Sequence, residues 1–491
     1  MKILLIYPQY THSSEFDLRS PSLSLVYLAS YLERGGHEVK IFDASLGPVK
    51  RTGKVFHYGI ADDQMAAYLR TASFDLVGIT CSFTSRWRFV AKIAQLVKDI
   101  SPSAPVVVGG LFPTYSWRYC FENSPHTDVI ILGEGEETFL SLADHLEKKL
   151  SLPGSCGALD GVAWRQGTEF FINPKTRYNN DLDELPFPAW HLMDIQRYFK
   201  FQRRIFDLPS DALPLLSSRS CPNRCRFCNM YVTQGERWRF RSAGNMLDEI
   251  EYLIKTFGVR NYYFVDDNFS MNLTRAKDIC RGIIERGLRI KYNFHNGLSI
   301  KTIDEELVCL LKASGCISVC LAVESGSERI RNEVYGKKLP TEKIVNVFRW
   351  FRQAGIPSVA YFMVGAPSET YADIVETKKM IASLPMSLVA VSAYTPYPGT
   401  ELYDECVDKG WLCETPVDDE NRVEMFVPML TTPDFKPADV LRWKREVYFS
   451  FLWHHWRDLL WEMLRPNGLV NMDAAGKFMG MLRFNPKENK Q

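Results

Sequence analysis

The chain has 491 residues, 46% of them hydrophobic, enough for large cores, and at roughly 100 to 200 residues per domain it holds more than one. Its 59 Lys and Arg against 58 Asp and Glu give a net charge of +1, which excludes the basic excess of a polyanion binder, so no nucleic acid is expected as partner. No apolar run approaches the roughly 20 residues of a membrane-spanning helix, and Met1-Lys2 opens directly on a short apolar segment, so a cytoplasmic chain without signal peptide is expected.

Lys2 to Tyr7 form the first apolar run, Pro21 to Arg34 show helix-spaced apolar residues stopped by Gly35-Gly36, and Val39 to Asp43 read as a second strand. The alternation continues through Leu76 to Thr80, a helix near Arg86 to Asp99, Val106 to Gly110, a further helix, Val129 to Leu132 and a helix from about Glu137. Five strands alternating with helices predict an α/β, doubly wound, Rossmann-like domain over residues 1–150. Such sheets bind ligands beyond the carboxyl ends of their strands. Here those loops are Pro8 to Glu15, Cys81 to Ser85, Gly109 to Thr114 and Gly133 to Glu137. Gly109-Gly110 and Gly133-Glu134-Gly135 would admit a bulky ligand close to the backbone, although glycine at strand ends also serves simple turns.

Pro21 to Leu32, Ser82-Phe83-Thr84, Gly109-Gly110-Leu111-Phe112-Pro113-Thr114 and Gly133-Glu134-Gly135-Glu136 resemble the cobalamin-binding domain found ahead of many radical S-adenosylmethionine enzymes. The resemblance implies cobalamin as a cofactor and Ser82, Phe83, Thr84, Gly109, Gly110, Gly133, Glu134 and Gly135 as its contacts. The D-x-H-x-x-G signature, by which many such domains give cobalt a histidine, does not occur; in the radical branch of the family that histidine is commonly missing. His12, in the loop after the first strand, reads as a solvated residue rather than a substitute.

Residues 151–205 lose the alternation, and Pro186 and Pro188 in Asp181 to Trp190 disfavour a continuous helix, so the segment is expected to be a linker. Leu213 to Ser218 then read as a strand running into Cys221-Pro-Asn-Arg-Cys225-Arg-Phe227-Cys228. Three of the twelve cysteines sit within these eight residues and the rest are scattered, which speaks for metal chemistry in a reducing compartment rather than a disulfide scaffold. Three thiolates can hold three irons of a [4Fe-4S] cluster and leave the fourth iron open, unlike electron carriers and structural zinc sites, which close all four positions. An open iron can chelate S-adenosylmethionine and reduce its sulfonium to a 5'-deoxyadenosyl radical. The motif resembles that of the radical S-adenosylmethionine superfamily, which implies that Phe227 lies against the adenine.

Five further strands follow within residues 206–405: Asn261 to Asp266, Ile290 to Asn296, 317–323, Pro357 to Val364 and Leu388 to Tyr394, separated by helices. With the first they make six β/α units, the count of the superfamily's partial barrel, whose chemistry collects at the strands' carboxyl ends. Those ends are polar: Asp266-Asp267-Asn268, His295-Asn296, Glu324-Ser325-Gly326-Ser327, Gly365 to Glu369 and Tyr394 to Thr400. By resemblance, Asp266 and Asp267 stand where the superfamily often has Gly-Gly-Glu and would accept from the substrate's ammonium. Glu324 resembles the residue that contacts the S-adenosylmethionine ribose or amino group. Tyr394 to Thr400 resembles the P-x-P-G-T phrase of anaerobic magnesium-protoporphyrin ester cyclase. Cys309, Cys316 and Cys320 read as small buried residues rather than a second cluster.

Residues 406–491 are expected to form a mostly helical extension in which the aromatic stretch 437–464 caps the barrel mouth, with membrane-surface contact the secondary reading. The resemblance as a whole implies a cobalamin-dependent radical enzyme that methylates an unactivated carbon through the 5'-deoxyadenosyl radical and methylcobalamin. It implies a small-molecule or lipid-like substrate and a reductant such as flavodoxin or ferredoxin. The alternatives are a cyclase, ring-contraction or carbon-carbon coupling enzyme, and, in another class, a non-catalytic sensor or electron carrier.

Overall fold

In this computed structural model the structure describes residues 1–12, 19–53, 55–201, 208–413 and 428–464. Expectations that fall on 13–15, 202–205, 414–427 and 465–491 lie outside the described residues. The described residues divide into two compact units, one formed by those up to 201 with 229–240, the other by 208–228, 241–413 and 428–464.

In the first unit, β1 (Lys2–Tyr7), β2 (Glu38–Asp43), β3 (Leu76–Thr80), β4 (Val106–Gly109) and β5 (Val129–Ile131) pair in parallel in the order β2-β1-β3-β4-β5. Alternate side chains enter two apolar layers: Leu4 and Ile6 join Val90, Ile93 and Phe112, while Ile3 and Leu5 join Leu25, Leu32 and Phe139. A sheet covered on both faces explains why its strands read as unbroken apolar runs. Chain order reverses between β1 and β3, which puts the ligand crevice of such a fold at their carboxyl ends.

Residues 151–205 do more than connect. β6 (Val162–Gln166) and β7 (Glu169–Asn173) form a hairpin that extends the sheet antiparallel beyond β5. The hairpin lacked a clear signal because β7 is a mostly exposed edge strand without inward alternation. The helix Ile195–Phe201 then closes over the end of β2, where the Tyr198 hydroxyl donates to Asp43 and Arg197 donates to the Leu46 carbonyl. His12 is strand rather than loop, since Tyr10–His12 pairs with Val55–Tyr58 in a small antiparallel sheet.

The second unit holds β8 (Ala212–Leu215), β9 (Asn261–Phe264), β10 (Lys291–Leu298), β11 (Cys316–Glu324), β12 (Ser358–Val364) and β13 (Leu388–Ala393), all parallel and adjacent in chain order. Sequential order with helical crossovers makes the partial (β/α)6 barrel, open between β8 and β13. Helices start where side chains cap them: Ser242, Asn272 and Asp304 each accept from the backbone amide three residues on, worth about 1 kcal/mol apiece. Tyr292 and Phe294 pack outward with Cys280, Ser314 and Phe269, so Asn293 and His295 of the same strand face the concave side.

The helix Pro437–Leu464 does not lie across the mouth but along the open edge of the sheet, packed on β13 and the helix Tyr371–Ser383. The Tyr448 hydroxyl accepts from the Val391 amide at 3.0 Å and donates to the Val391 carbonyl at 3.3 Å, closing the exposed polar edge of β13. The helix kinks at His455, whose Nε2 lies 2.8 Å from the Ile381 carbonyl. Beyond the kink Leu459 and Met463, like Tyr361, pack on Cys320 of β11 and Val359 of β12. No described helix is long and apolar enough to cross a membrane.

Candidate functional site

The cysteine loop leaves β8 through a buried polar knot. Asp266, just past β9, is 3% exposed and accepts from the Ser217 amide, from Ser217 Oγ at 2.6 Å and from Ser218 Oγ at 2.5 Å. Burial pushes its carboxyl up, and the two serines and Arg275 oppose that. Arg275 donates to the Ser217 carbonyl at 2.7 Å. Asp266 is therefore engaged in fixing the chain before Cys221, and its expected hold on an ammonium is not what its surroundings serve; Asp267 beside it is half-buried.

Cys221, Cys225 and Cys228 are half-buried thiols, none of them in a disulfide. Backbone at positive φ in Ser220 (69°) and Arg224 (44°) turns the loop. Asn223 Nδ2 stands 3.4 Å and Asn268 Nδ2 3.6 Å from Cys221 Sγ. Burial pushes the Cys225 thiol up and Lys337 is the strongest opposing influence. The loop is anchored through Arg226, whose amide donates to the Tyr335 carbonyl at 3.0 Å and whose guanidinium binds Glu401 and Glu405, each at 3.0 Å. Among the described residues no three His, Cys, Asp or Glu side chains converge on one metal ion. A [4Fe-4S] cluster binds each thiolate to a different iron. Three half-buried thiols on one loop, free of disulfides and with the Asn223 and Asn268 amides against Cys221, fit that group.

Around the loop, the Phe227 ring meets Tyr335 edge-on at 5.1 Å. Glu324 ends β11 at φ 73°, a conformation costly for a residue with a side chain, and pairs with Lys337 at 2.6 Å. The hydroxyls of Tyr335 and Tyr394 and Glu369 Oε1 are buried without hydrogen-bond partners. Such orphaned groups cost free energy unless a guest satisfies them. The other oxygen of Glu369 accepts from the Gly365 and Ala366 amides at 2.5 and 3.1 Å.

Burial pushes the Glu369 carboxyl to about 8, while an unfolded glutamate titrates near 4.5. Between those values the native state holds a proton that the unfolded state has lost, so stability falls as pH rises through the window. Thermal unfolding of the wild type is expected to shift downward from pH 5 to pH 8 more steeply than that of Glu369→Gln; parallel profiles would refute a buried, proton-bearing Glu369.

The concave face also holds His295, which the sequence placed among the polar strand ends without a role. Opposite β11, Phe294 pairs with Val319 and Leu298 with Leu321, so two extra residues bulge from β10 around Gly297 at φ 106°. Bulges of this kind re-aim side chains beside active sites. His295 sits on it, edge-on to Tyr263 at 4.9 Å, with Nδ1 buried and without a hydrogen-bond partner. The Tyr361 hydroxyl reaches from β12 across β11 to the His295 carbonyl at 2.6 Å. Burial pushes the imidazole down to about 4, so the ring is neutral near pH 7 and can both donate and accept. The only sequence signal was a histidine near a strand end; the bulge is invisible without the register.

In the first unit, Ser82, Phe83 and Thr84 follow β3, and Phe83 is 51% exposed. A side chain on Gly110, at φ 117°, would meet the Cys81 carbonyl oxygen at 2.4 Å, so only glycine lets these loops close on each other. Gly109 has room above it, its nearest neighbour 3.8 Å away. These fit a bulky planar ligand at the switch point. Arg86, unremarked in the sequence, lies there too, bonded to the Tyr7 hydroxyl and within about 5 Å of the rings of Tyr7, Tyr10 and Phe83. The third loop is different. Glu134 pairs bidentately with Arg239 at 2.6 and 2.8 Å, both side chains nearly buried, while the Gly133 amide donates to Thr114 Oγ1 at 3.0 Å. Gly135 serves as the cap of the helix Glu136–Glu147. Glu134 is committed within the protein rather than open to a ligand.

Cys309 is exposed on a helix, and Cys316 and Cys320 are buried in β11.

Two family profiles match separate stretches of the chain. The profile of the Radical SAM superfamily matches residues 215–381 and that of the B12 binding domain residues 13–143. The chain is 28% identical to the cytidylyl-2-hydroxyethylphosphonate methyltransferase of Streptomyces wedmorensis, over 84% of this chain and 82% of that protein. It is 26% identical to the anaerobic magnesium-protoporphyrin IX monomethyl ester cyclase of Rubrivivax gelatinosus, over 83% and 70%. Its fold resembles the cobalamin-dependent S-adenosylmethionine radical enzyme OxsB, solved with aqua-cobalamin and S-adenosylmethionine, with a TM-score of 0.72 and 19% identity over 98% of this chain and 70% of that one.

Proposed function

Because the chain belongs to the radical S-adenosylmethionine enzymes that carry a B12-binding domain, and so uses a [4Fe-4S] cluster, S-adenosylmethionine and cobalamin, we propose that it methylates an unactivated carbon of a small molecule. The observation that carries this reading is the three-thiol loop at the mouth of a barrel whose concave face keeps unsatisfied polar groups. The methyltransferase relative supports the group transferred. When bound, the cluster supplies the electron that cleaves S-adenosylmethionine and the corrin the methyl group.

The protein's own residues would divide the work as follows. Cys221, Cys225 and Cys228 hold three irons and leave one for the amino and carboxylate groups of S-adenosylmethionine. Phe227 packs its ring toward the adenine. Glu324 and Asp267 receive polar groups of the same molecule, with Lys337 holding the Glu324 carboxylate in place. Ser82, Phe83, Thr84, Gly109 and Gly110 cradle the corrin, and Gly133 and Gly135 shape the rim. His295, neutral and aimed inward, hydrogen-bonds the substrate and orients the carbon that loses hydrogen.

Anaerobic incubation with methyl-labelled S-adenosylmethionine and candidate substrates tests this. Label in product together with 5'-deoxyadenosine supports methyl transfer. 5'-Deoxyadenosine with an unlabelled, oxidised product supports the cyclase reading that the Rubrivivax relative suggests. Neither product would leave the sensor reading. His295→Ala is expected to form 5'-deoxyadenosine normally but lose about 10- to 100-fold in methylated product, the cost of a mispositioned carbon. Equal loss of both products would refute a role on the substrate.

A further inference from the structure

The carboxyl-terminal helix buries one side along β13 and leaves the other bare. Phe449 (57%), Trp453 (81%), Trp456 (55%), Leu460 (47%), Trp461 (62%) and Leu464 (73%) are exposed. Their spacing, mostly three or four residues, gathers them on one helical face. Single exposed apolar residues are ordinary, but six on one face, three of them tryptophan, mark a surface that meets something.

The charges of that face select the occupant. Between Phe449 and Leu464 the acids are withdrawn: Asp458 is paired with Arg352 at 2.7 Å and Glu462 is 4% exposed. The exposed ionisable groups there are His454 and Arg457, the guanidinium of Arg457 lying 5.2 Å from the Trp456 ring centre. Over residues 465–491 the sequence carries Arg465, Lys477, Arg483, Lys487 and Lys490 against Asp473 and Glu488. Tryptophan is the side chain of the membrane-water interface, its ring in the acyl boundary and its N–H among headgroups. Apolar rings with Arg457 among them, followed by a sequence rich in cations, are the composition of a helix that lies on an anionic bilayer.

We propose that the face Phe449 to Leu464 docks the enzyme on an anionic phospholipid membrane surface, lying in the interface without spanning it. The docking is independent of which carbon is methylated, so it stands or falls apart from the reaction proposed above.

The test is flotation of the anaerobically purified full chain with 100 nm vesicles of phosphatidylcholine alone and of phosphatidylcholine with phosphatidylglycerol, compared with Trp453→Ser/Trp461→Ser. Both substituted residues are exposed, so circular dichroism and 5'-deoxyadenosine formation are expected to match the wild type. The expected result is binding to the anionic vesicles, weakened by salt, with tryptophan emission shifted to the blue, and at least about a tenfold weaker partition in the variant. Three outcomes would overturn the proposal. One is equal flotation of the variant, or no flotation with either vesicle. The second is a concentration-dependent dimer, lost in the variant, that leaves vesicles unbound, which makes the face a contact between copies. The third is blue-shifted emission before any lipid is added, abolished by truncation after Leu464, which makes the following segment its cover. Quenching of wild-type emission by brominated lipid reads the contact without any substitution.

Discussion

Alanine at any one of Cys221, Cys225 or Cys228 is expected to reduce 5'-deoxyadenosine formation to background. The loop supplies three sulfurs and no fourth, so each loss removes the only protein hold on one iron. A [4Fe-4S] cluster whose open iron must bind S-adenosylmethionine has no spare ligand to lend. The measurement is iron and acid-labile sulfide after anaerobic reconstitution, with 5'-deoxyadenosine followed by mass spectrometry. Cys309→Ala, on an exposed helical position, is the control and should retain both. Cleavage that survives any of the three substitutions would place the cluster elsewhere.

Glu134→Gln is expected to destabilise the first unit by about 3 kcal/mol, the lower end of the range for breaking a buried ion pair. The lower end applies because Arg239 also donates to the Asn179 and Gln234 carbonyls at 2.8 and 2.7 Å, which leaves its charge partly compensated. Chemical denaturation monitored on the first unit checks the size of the loss, and Glu134→Gln/Arg239→Met should recover much of it. Unchanged stability with weakened retention of cobalamin would instead return Glu134 to the cofactor, the role its motif implied.

That disagreement shows where the sequence was legible. Both sheets were, because apolar runs of four to six residues separated by amphipathic helices allow few other folds. The cysteine loop was, because its chemistry lies in spacing along eight residues. What escaped depends on partners distant in the chain. Asp266 stands in a motif position but is enclosed by two serines nearly 50 residues earlier, and no local pattern reports that. Arg86 reads as an ordinary helix-start cation until Tyr7 and Tyr10 fold beside it. His295 owes its direction to a register slip against β11, a property of two strands together. The hairpin of β6 and β7 was lost in a segment whose prolines argued for a linker, since an exposed edge strand leaves no apolar alternation to find.

The hydroxyl of Tyr448 meets the edge of β13 at Val391, 57 residues earlier in the chain. During synthesis the last strand of the barrel is therefore complete well before its cover exists. Until the helix has emerged, β13 offers a row of unpaired amides and carbonyls to any neighbouring chain. The carboxyl-terminal helix thus sets the moment at which the nascent second unit becomes safe from its own kind, and a message truncated between the two would yield a barrel with a strand left to recruit.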